Sequence, residues 1–172
     1  MPPPAKLICS IFSRHGEYIE KALDRMTRLY GPVSERSPLL PFEWTTYYER
    51  EFGADLKRIF VGFEPLIDQA SLVDVKYKVR EVEEEFSRDG RRTVNIDPGL
   101  LTPERLILAT FKNFTHRIYL SKGVYADLTL IFQKGSFRPL EWTYPDYASQ
   151  QAIDFWNQVR KGYMDKLKEM VK

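Results

Sequence analysis

The stretch LICSIFSRHGEYIEKALDRMTRLYGP, residues 7–32, decides the fold class. Leu7 to Phe12 is a short apolar run with the length and residue types of a buried strand. Ser13 to Gly16 break it with polar residues and a glycine. From Glu17 onward Ile19, Ala22, Leu23, Met26, Leu29 and Tyr30 recur at spacings of three and four, which is the stripe of an amphipathic helix. Gly31-Pro32 stops it. A strand thus feeds a helix through a tight polar turn.

Downstream the same alternation of element types continues. LKRIFVGF (56–63) has the β-branched and aromatic content of a buried strand. The Pro-rich span before it, containing SPLLPFEW (37–44), supplies another. Asp68 caps a second helix whose buried stripe is Leu72, Val75, Val79, Val82 and Phe86, and Arg88-Asp89-Gly90 ends it. The run Glu83-Glu84-Glu85 reads as the solvated side of that helix rather than a metal site. RRTVNIDPG (91–99) alternates, with Val94 and Ile96 facing one way and Thr93, Asn95 and Asp97 the other, and Pro98-Gly99 is expected to turn the chain. Thr102 with Pro103 reads as the start of a short helix through about Phe111. A hairpin, an aromatic loop and a last helix from about Ser149 follow, with Ile153, Trp156, Val159, Tyr163 and Leu167 on one stripe and Gly162 a weak point inside it. The expected fold is α+β: a ferredoxin-like βαββαβ core over about 5–97, extended over about 100–172 by a C-terminal β-hairpin and a final helix, in one domain.

Composition narrows the function classes. The chain has 172 residues, 43% hydrophobic and 14% aromatic, enough for a sizeable core. Its 26 basic and 24 acidic residues are mixed along the chain, so no long-range field favours a polyanion and nucleic acid is not indicated. Cys9 alone can form neither an internal disulfide nor a thiolate metal cluster. The apolar run in MPPPAKLICSIF is too short for a signal peptide or a membrane span, so a cytoplasmic location is expected.

The hairpin NFTHRIYLSKGVYADLTLIF (113–132) carries a parity argument. A two-residue Lys122-Gly123 loop would mix charged and apolar residues on both faces and force φ > 0 on Lys122. A three-residue loop, Ser121 to Gly123, sorts the faces: His116, Ile118, Leu120 and Val124 on one, Arg117, Tyr119, Tyr125 and Asp127 on the other. Arg117 then stands opposite Asp127 as a cross-strand ion pair, and His116 points away from Asp127 into an apolar face.

Motifs for chemistry are sparse. Arg14-His15-Gly16-Glu17 resembles the nucleophile signature of the histidine phosphatases, but the second arginine and second histidine motifs of that family are missing. There is no phosphate-binding glycine-rich loop, no H-E-x-x-H and no Gly-x-Ser-x-Gly elbow. Three stretches, DGRRTVNIDPGLLT (89–102), HRIYLSKGVYADLTLIFQKGSF (116–137) and PLEWTYPDY (139–147), resemble the bacterial family known as domain of unknown function 4416, and KLICSIF, YYEREFG and LKRIFVGFEPLID extend the resemblance over nearly the whole chain. It implies a bacterial protein of one domain and carries no activity. A GTP-binding label found on members has no support here, since a P-loop and Asn-Lys-x-Asp are both missing.

The expected function is binding of a small anionic or nucleotide-like ligand on a polar surface of Asn95, Asp97, Arg117, Tyr119, Tyr125, Asp127, Trp142, Tyr144 and Asp146. No cofactor or oligomeric state is implied. The alternatives are a phosphoester hydrolase using His15, a hydrolase using Asp97 and Asp127, and a protein-interaction module presenting the aromatic loop.

Overall fold

A computed structural model describes residues 1–42 and 48–172. Glu43 and Trp44, at the end of the expected second strand, lie outside the described residues. The elements run β1 (Ala5–Ser13), α1 (Gly16–Tyr30), β2 (Val33–Arg36), β3 (Leu40–Pro41), α2 (Glu49–Phe52), β4 (Lys57–Ile67), α3 (Leu72–Glu85), β5 (Val94–Leu101), β6 (Arg105–Thr110), β7 (Arg117–Ser121), β8 (Val124–Gln133), β9 (Ser136–Pro139), α4 (Pro145–Ala148) and α5 (Gln150–Met170). Among the described residues nine strands form one antiparallel sheet in the order β2-β4-β1-β5-β6-β8-β7, with β3 also on β4 and β9 also on β8. The protein is a mixed α+β structure with helices on both faces of that sheet.

β1 lies near the centre and is buried at every residue. Its odd positions Leu7, Cys9 and Ile11 share a face with Ile59, Val61, Phe63, Val94 and Ile96, packed under Ile19, Leu23 and Met26 of α1 and Val75, Val79 and Val82 of α3. On the other face Ile8 joins Phe60, Leu101, Leu106 and Leu130 beneath Ile153, Trp156, Val159 and Tyr163 of α5. Each such side chain contributes about 1.5–3 kcal/mol on burial. The helix boundaries follow their signals: Gly31 takes φ 92° and its N–H bonds to Thr27 O at 2.8 Å, and the Ser149 hydroxyl accepts the Ala152 N–H at 3.2 Å.

Four expectations are corrected. Residues 102–111 form no helix: Thr102 N–H bonds to Arg105 O at 2.9 Å, which closes a turn, and Arg105–Thr110 returns as β6 along β5. Pro98-Gly99 is no turn but continues β5. Ile96 N–H points away from β1, so Pro98 two residues on has its missing N–H on that same side, where no ladder bond is lost. Gly99 is needed for space, because a Cβ there would be driven into the Ile107 carbonyl oxygen. Among the described residues the second strand is split between Val33–Arg36, ahead of the expected span, and Leu40–Pro41 within it.

The fourth correction concerns the hairpin. Lys122 (φ 48°) and Gly123 (φ 76°) form a two-residue loop closed by Ser121 opposite Val124. An irregularity between Tyr119 and Ser121 then restores the expected pairs, Tyr119 with Tyr125 and Arg117 with Asp127. The same device recurs at Lys134-Gly135 between β8 and β9 and at Asp89-Gly90. Strand twist favours loops with two left-handed residues strongly enough that the first need not be asparagine.

Along its outer edge β8 is completed piecewise. β7 pairs residues 124–127 and β9 pairs residues 130–133. Between them Trp142 Nε1 donates to Leu128 O at 2.7 Å and Thr143 Oγ1 donates to Thr129 O at 2.6 Å. The aromatic loop is therefore spliced into the ladder.

Candidate functional site

The side chains of interest sit on the face covered by α5. Cross-strand register places Arg58 beside Phe12, Phe12 beside Asn95, and Ser10 between Phe60 and Asp97. From Val94 to Pro98 β5 pairs with β1, whereas β6 joins it only from Gly99 onward. The open side of β5 is closed by a side chain: Glu83 Oε2 accepts the Ile96 N–H at 3.0 Å. Glu83 is thus buried and not on a solvated helix face, and burial raises its pKa above the ordinary carboxylate range.

Arg92 ties this edge together. Its Nη1 donates to Glu83 (3.1 Å) and Asn95 Oδ1 (2.8 Å), and its Nε and Nη2 donate to the two oxygens of Glu51 at 2.8 and 3.1 Å. The guanidinium lies 5.1 Å from the Phe52 ring. Burial opposes the charge on Arg92, but the two glutamates outweigh it and raise its pKa. Asn95 passes the chain on, donating from Nδ2 to Asp97 Oδ2 at 2.9 Å.

Arg58 is the buried centre of the same face, 4% exposed. Its guanidinium lies 4.0 Å from the Phe42 ring and 5.4–5.7 Å from Phe12, Phe60 and Tyr147, and it pairs with Asp146. Burial lowers its pKa, with Tyr147, Asp97 and Tyr48 opposing. Tyr48, half-buried beside the cluster, has its phenol pushed up to about 12 by burial and then by the negative charge of Asp97.

The hairpin supplies the third group. Asp127, 6% exposed, accepts Arg117 Nε at 2.9 Å, His116 Nε2 at 3.0 Å and Thr129 Oγ1 at 3.2 Å. His116 is therefore Asp127's partner, contrary to the parity argument. It lies in a turn before β7, closed by Arg117 N–H to Phe114 O at 3.0 Å, and so escapes the alternation of the strand. Its ring stacks on Trp142 at 5.1 Å and 16°. Arg117 also donates to Lys112 O at 3.1 Å and contacts the Tyr144 hydroxyl at 3.4 Å.

Of the expected residues, Asp97, Arg117 and Asp127 do share a face: Gly99, Leu108, Asp127 and Arg117 form one cross-strand row, and Asp97 lies two residues up β5 from it. Tyr119 and Tyr125 share the face nearer the hairpin tip, packed on each other at 5.3 Å. Trp142 and Asp146 serve as clamps, on Leu128 and Arg58, while Tyr144 remains 57% exposed. His15 is exposed ahead of α1, its ring 6.0 Å from Tyr18, with no arginine or carboxylate in contact among the described residues. Sequence reading missed Arg58, Arg92, Glu51 and Tyr147. The available signal was an arginine inside the apolar run of β4, at a position in phase with Phe60.

Charge pairing on this face is uneven. Arg58 has Asp146, Arg92 has Glu51 and Glu83, and Arg117 has Asp127. Asp97 has an amide partner, Asn95, and no cation in contact among the described residues. No three His, Cys, Asp or Glu among the described residues are grouped to hold a metal ion, and no helix among them is long and apolar enough to cross a membrane.

These features define an α+β protein whose single antiparallel sheet presents a polar, arginine-threaded patch beside a long covering helix. The chain belongs to the family described as domain of unknown function DUF4416, whose model matches residues 3–163. No curated protein and no solved structure matches it.

Proposed function

We propose that this protein binds a small polar ligand at Asp97, between the Arg92–Asn95 chain on one side and Arg58 with Tyr48 on the other. The observation that carries the reading is the unpaired charge: Asp97 is a half-buried carboxylate without a cationic partner among the described residues, while Arg58, Arg92 and Arg117 on the same face are all paired with other carboxylates, Arg92 with two. A carboxylate in that position is stabilised by a ligand that brings a hydrogen-bond donor or a positive charge. The anionic ligand expected from sequence is narrowed accordingly, since a bare anion would meet arginines already neutralised and Asp97 repelling it. The exposed ring of Tyr144 offers a face for a nucleoside-like group. For the first half of the chain, the order β2-β4-β1-β5 with α1 and α3 as crossovers supports the ferredoxin-like reading.

Hydrolysis by Asp97 and Asp127 fits less well, because Asp127 already accepts three hydrogen bonds. His15 is exposed, and among the described residues its ring has no arginine contact of the kind phosphoryl transfer needs. The test is a thermal-shift panel of nucleosides, nucleotides, amines, amino acids and phosphorylated metabolites on wild type and Asp97→Asn. A shift present in wild type and lost in Asp97→Asn is expected; a panel without shifts, or shifts unchanged by the substitution, overturns the reading.

A further inference from the structure

Beneath Asp97 lies a set of buried polar atoms that the other described residues leave without well-formed hydrogen bonds. Arg58 Nε and Trp156 Nε1 lack a hydrogen-bond partner among the described residues, while Ser10 Oγ and the Tyr147 hydroxyl face only each other, too loosely for a well-formed bond; the four residues are 0–4% exposed. They belong to one neighbourhood. Ser10 is the cross-strand partner of both Phe60 and Asp97. Tyr147 packs on Phe60 at 5.2 Å and Trp156 at 5.1 Å, and the Arg58 guanidinium is 5.7 Å from the Tyr147 ring. Burial pushes the Tyr147 phenol up, so it stays a donor at neutral pH.

The chemistry of the four groups is one-sided. Two hydroxyls can serve each other, but the arginine Nε–H and the indole N–H are donors only. The cluster is short of acceptors, and an orphaned buried donor is costly enough that native structures fill such sites with a water, an ion or a ligand atom. Charge then selects among these. Arg58 and Asp146 cancel, Asp97 is left over, and a bare anion would add a second uncompensated negative charge within the same desolvated volume. A molecule carrying an acceptor group and a cation together adds none.

We propose that the ligand is a small zwitterion of the α-amino acid class, its carboxylate on Ser10, Arg58 and Tyr147 and its ammonium on Asp97. Spacing favours this class. Paired cross-strand side chains such as Ser10 and Asp97 begin about 5 Å apart at Cβ, which suits one ligand that carries its donor and acceptor groups on adjacent carbons, as an α-amino acid does. Asp97 and Tyr48, both half-buried, are the solvent side of the site. The inference rests on Asp97 as the donor-accepting end proposed above.

The experiment is isothermal titration of the whole chain with the twenty proteinogenic amino acids, their carboxamides and the corresponding amines. Binding is expected for at least one amino acid and at least tenfold weaker for its amide and its amine. Tyr147→Phe and Ser10→Ala are each expected to weaken it about tenfold with no loss of thermal stability, and Asp97→Asn to abolish it. An amine that binds as well as its amino acid overturns the carboxylate subsite and leaves Asp97 as the ligand contact. Binding of no amino acid, or binding indifferent to Tyr147→Phe and Ser10→Ala, overturns the zwitterion and assigns the buried donors to a water. Nucleoside binding lost in Asp97→Asn would sustain the broader reading alone, whereas binding untouched by Asp97→Asn removes both.

Discussion

Glu83→Leu is the sharpest perturbation of the frame that positions Asp97. The Glu83 carboxylate accepts the Ile96 N–H at 3.0 Å and Arg92 Nη1 at 3.1 Å from a side chain 8% exposed. Leucine of similar volume leaves a buried amide without an acceptor, which costs about 1–3 kcal/mol. The Arg92 side chain is 35% exposed and keeps both bonds to Glu51, so the lost ion pair adds under about 1 kcal/mol. A total of about 1–4 kcal/mol lowers the melting midpoint of a chain this long by about 2–16 °C. Glu83→Gln keeps an oxygen for Ile96 and loses under about 1 kcal/mol. The pH dependence separates them further. Burial raises the folded-state pKa of Glu83 above its unfolded value, so its stabilisation is full below the unfolded pKa and is lost as pH rises through the folded one. Urea unfolding of wild type, Glu83→Leu and Glu83→Gln across about pH 4.5–8 reads both effects. A Glu83→Leu loss under about 0.5 kcal/mol, or a pH slope that persists in Glu83→Gln, would refute the reasoning.

Other substitutions probe separate parts of the account. Tyr147→Phe removes a buried hydroxyl that faces only Ser10 without a well-formed bond and should leave the ligand-free protein about as stable in urea unfolding; a loss above about 1 kcal/mol would mean the hydroxyl is firmly bonded. Gly99→Ala forces a methyl against the Ile107 carbonyl of a paired strand and should cost about 1–3 kcal/mol, read as a lower midpoint with unchanged far-ultraviolet dichroism. Cys9 is fully buried and its thiol is pushed well up by burial and by Asp97, so Ellman's reagent should label it only as the protein unfolds; rapid labelling of native protein at pH 8 would contradict the burial of β1.

The sequence made the helices plain and the site faint, for physical reasons visible in single residues. α1, α3 and α5 each bury one stripe and leave the rest in water, so Ile19–Leu23–Met26, Val75–Val79–Val82 and Ile153–Trp156–Val159 mark them by period alone. β6 was hidden because Leu106 and Ala109 are buried and Ile107 and Leu108 half-buried, which erases the alternation, while Thr102-Pro103 carries the same chemistry at a turn as at a helix start. Pro98-Gly99 misled in the opposite sense: both residues have turn preferences, and here one sits on an unpaired side and the other under a close carbonyl. Within the site, Asp97, Arg117 and Asp127 were legible from strand parity. Arg58, Arg92 and Glu83 were not, because each is held by partners 9 to 88 positions away: Arg58 by Asp146, Arg92 by Glu51 and Glu83, Glu83 by Ile96.

The most direct measurement is an amide correlation spectrum of the ¹⁵N-labelled protein titrated with the ligand that gives the largest thermal shift. If Asp97 is the contact, the largest changes fall on Asn95, Ile96 and Asp97, on Ser10 and Arg58 beside them, and on Tyr147, and they vanish in Asp97→Asn. Changes confined to the hairpin tip around Tyr119 and Tyr125, or to the C-terminal turns of α5, would contradict a ligand site at Asp97.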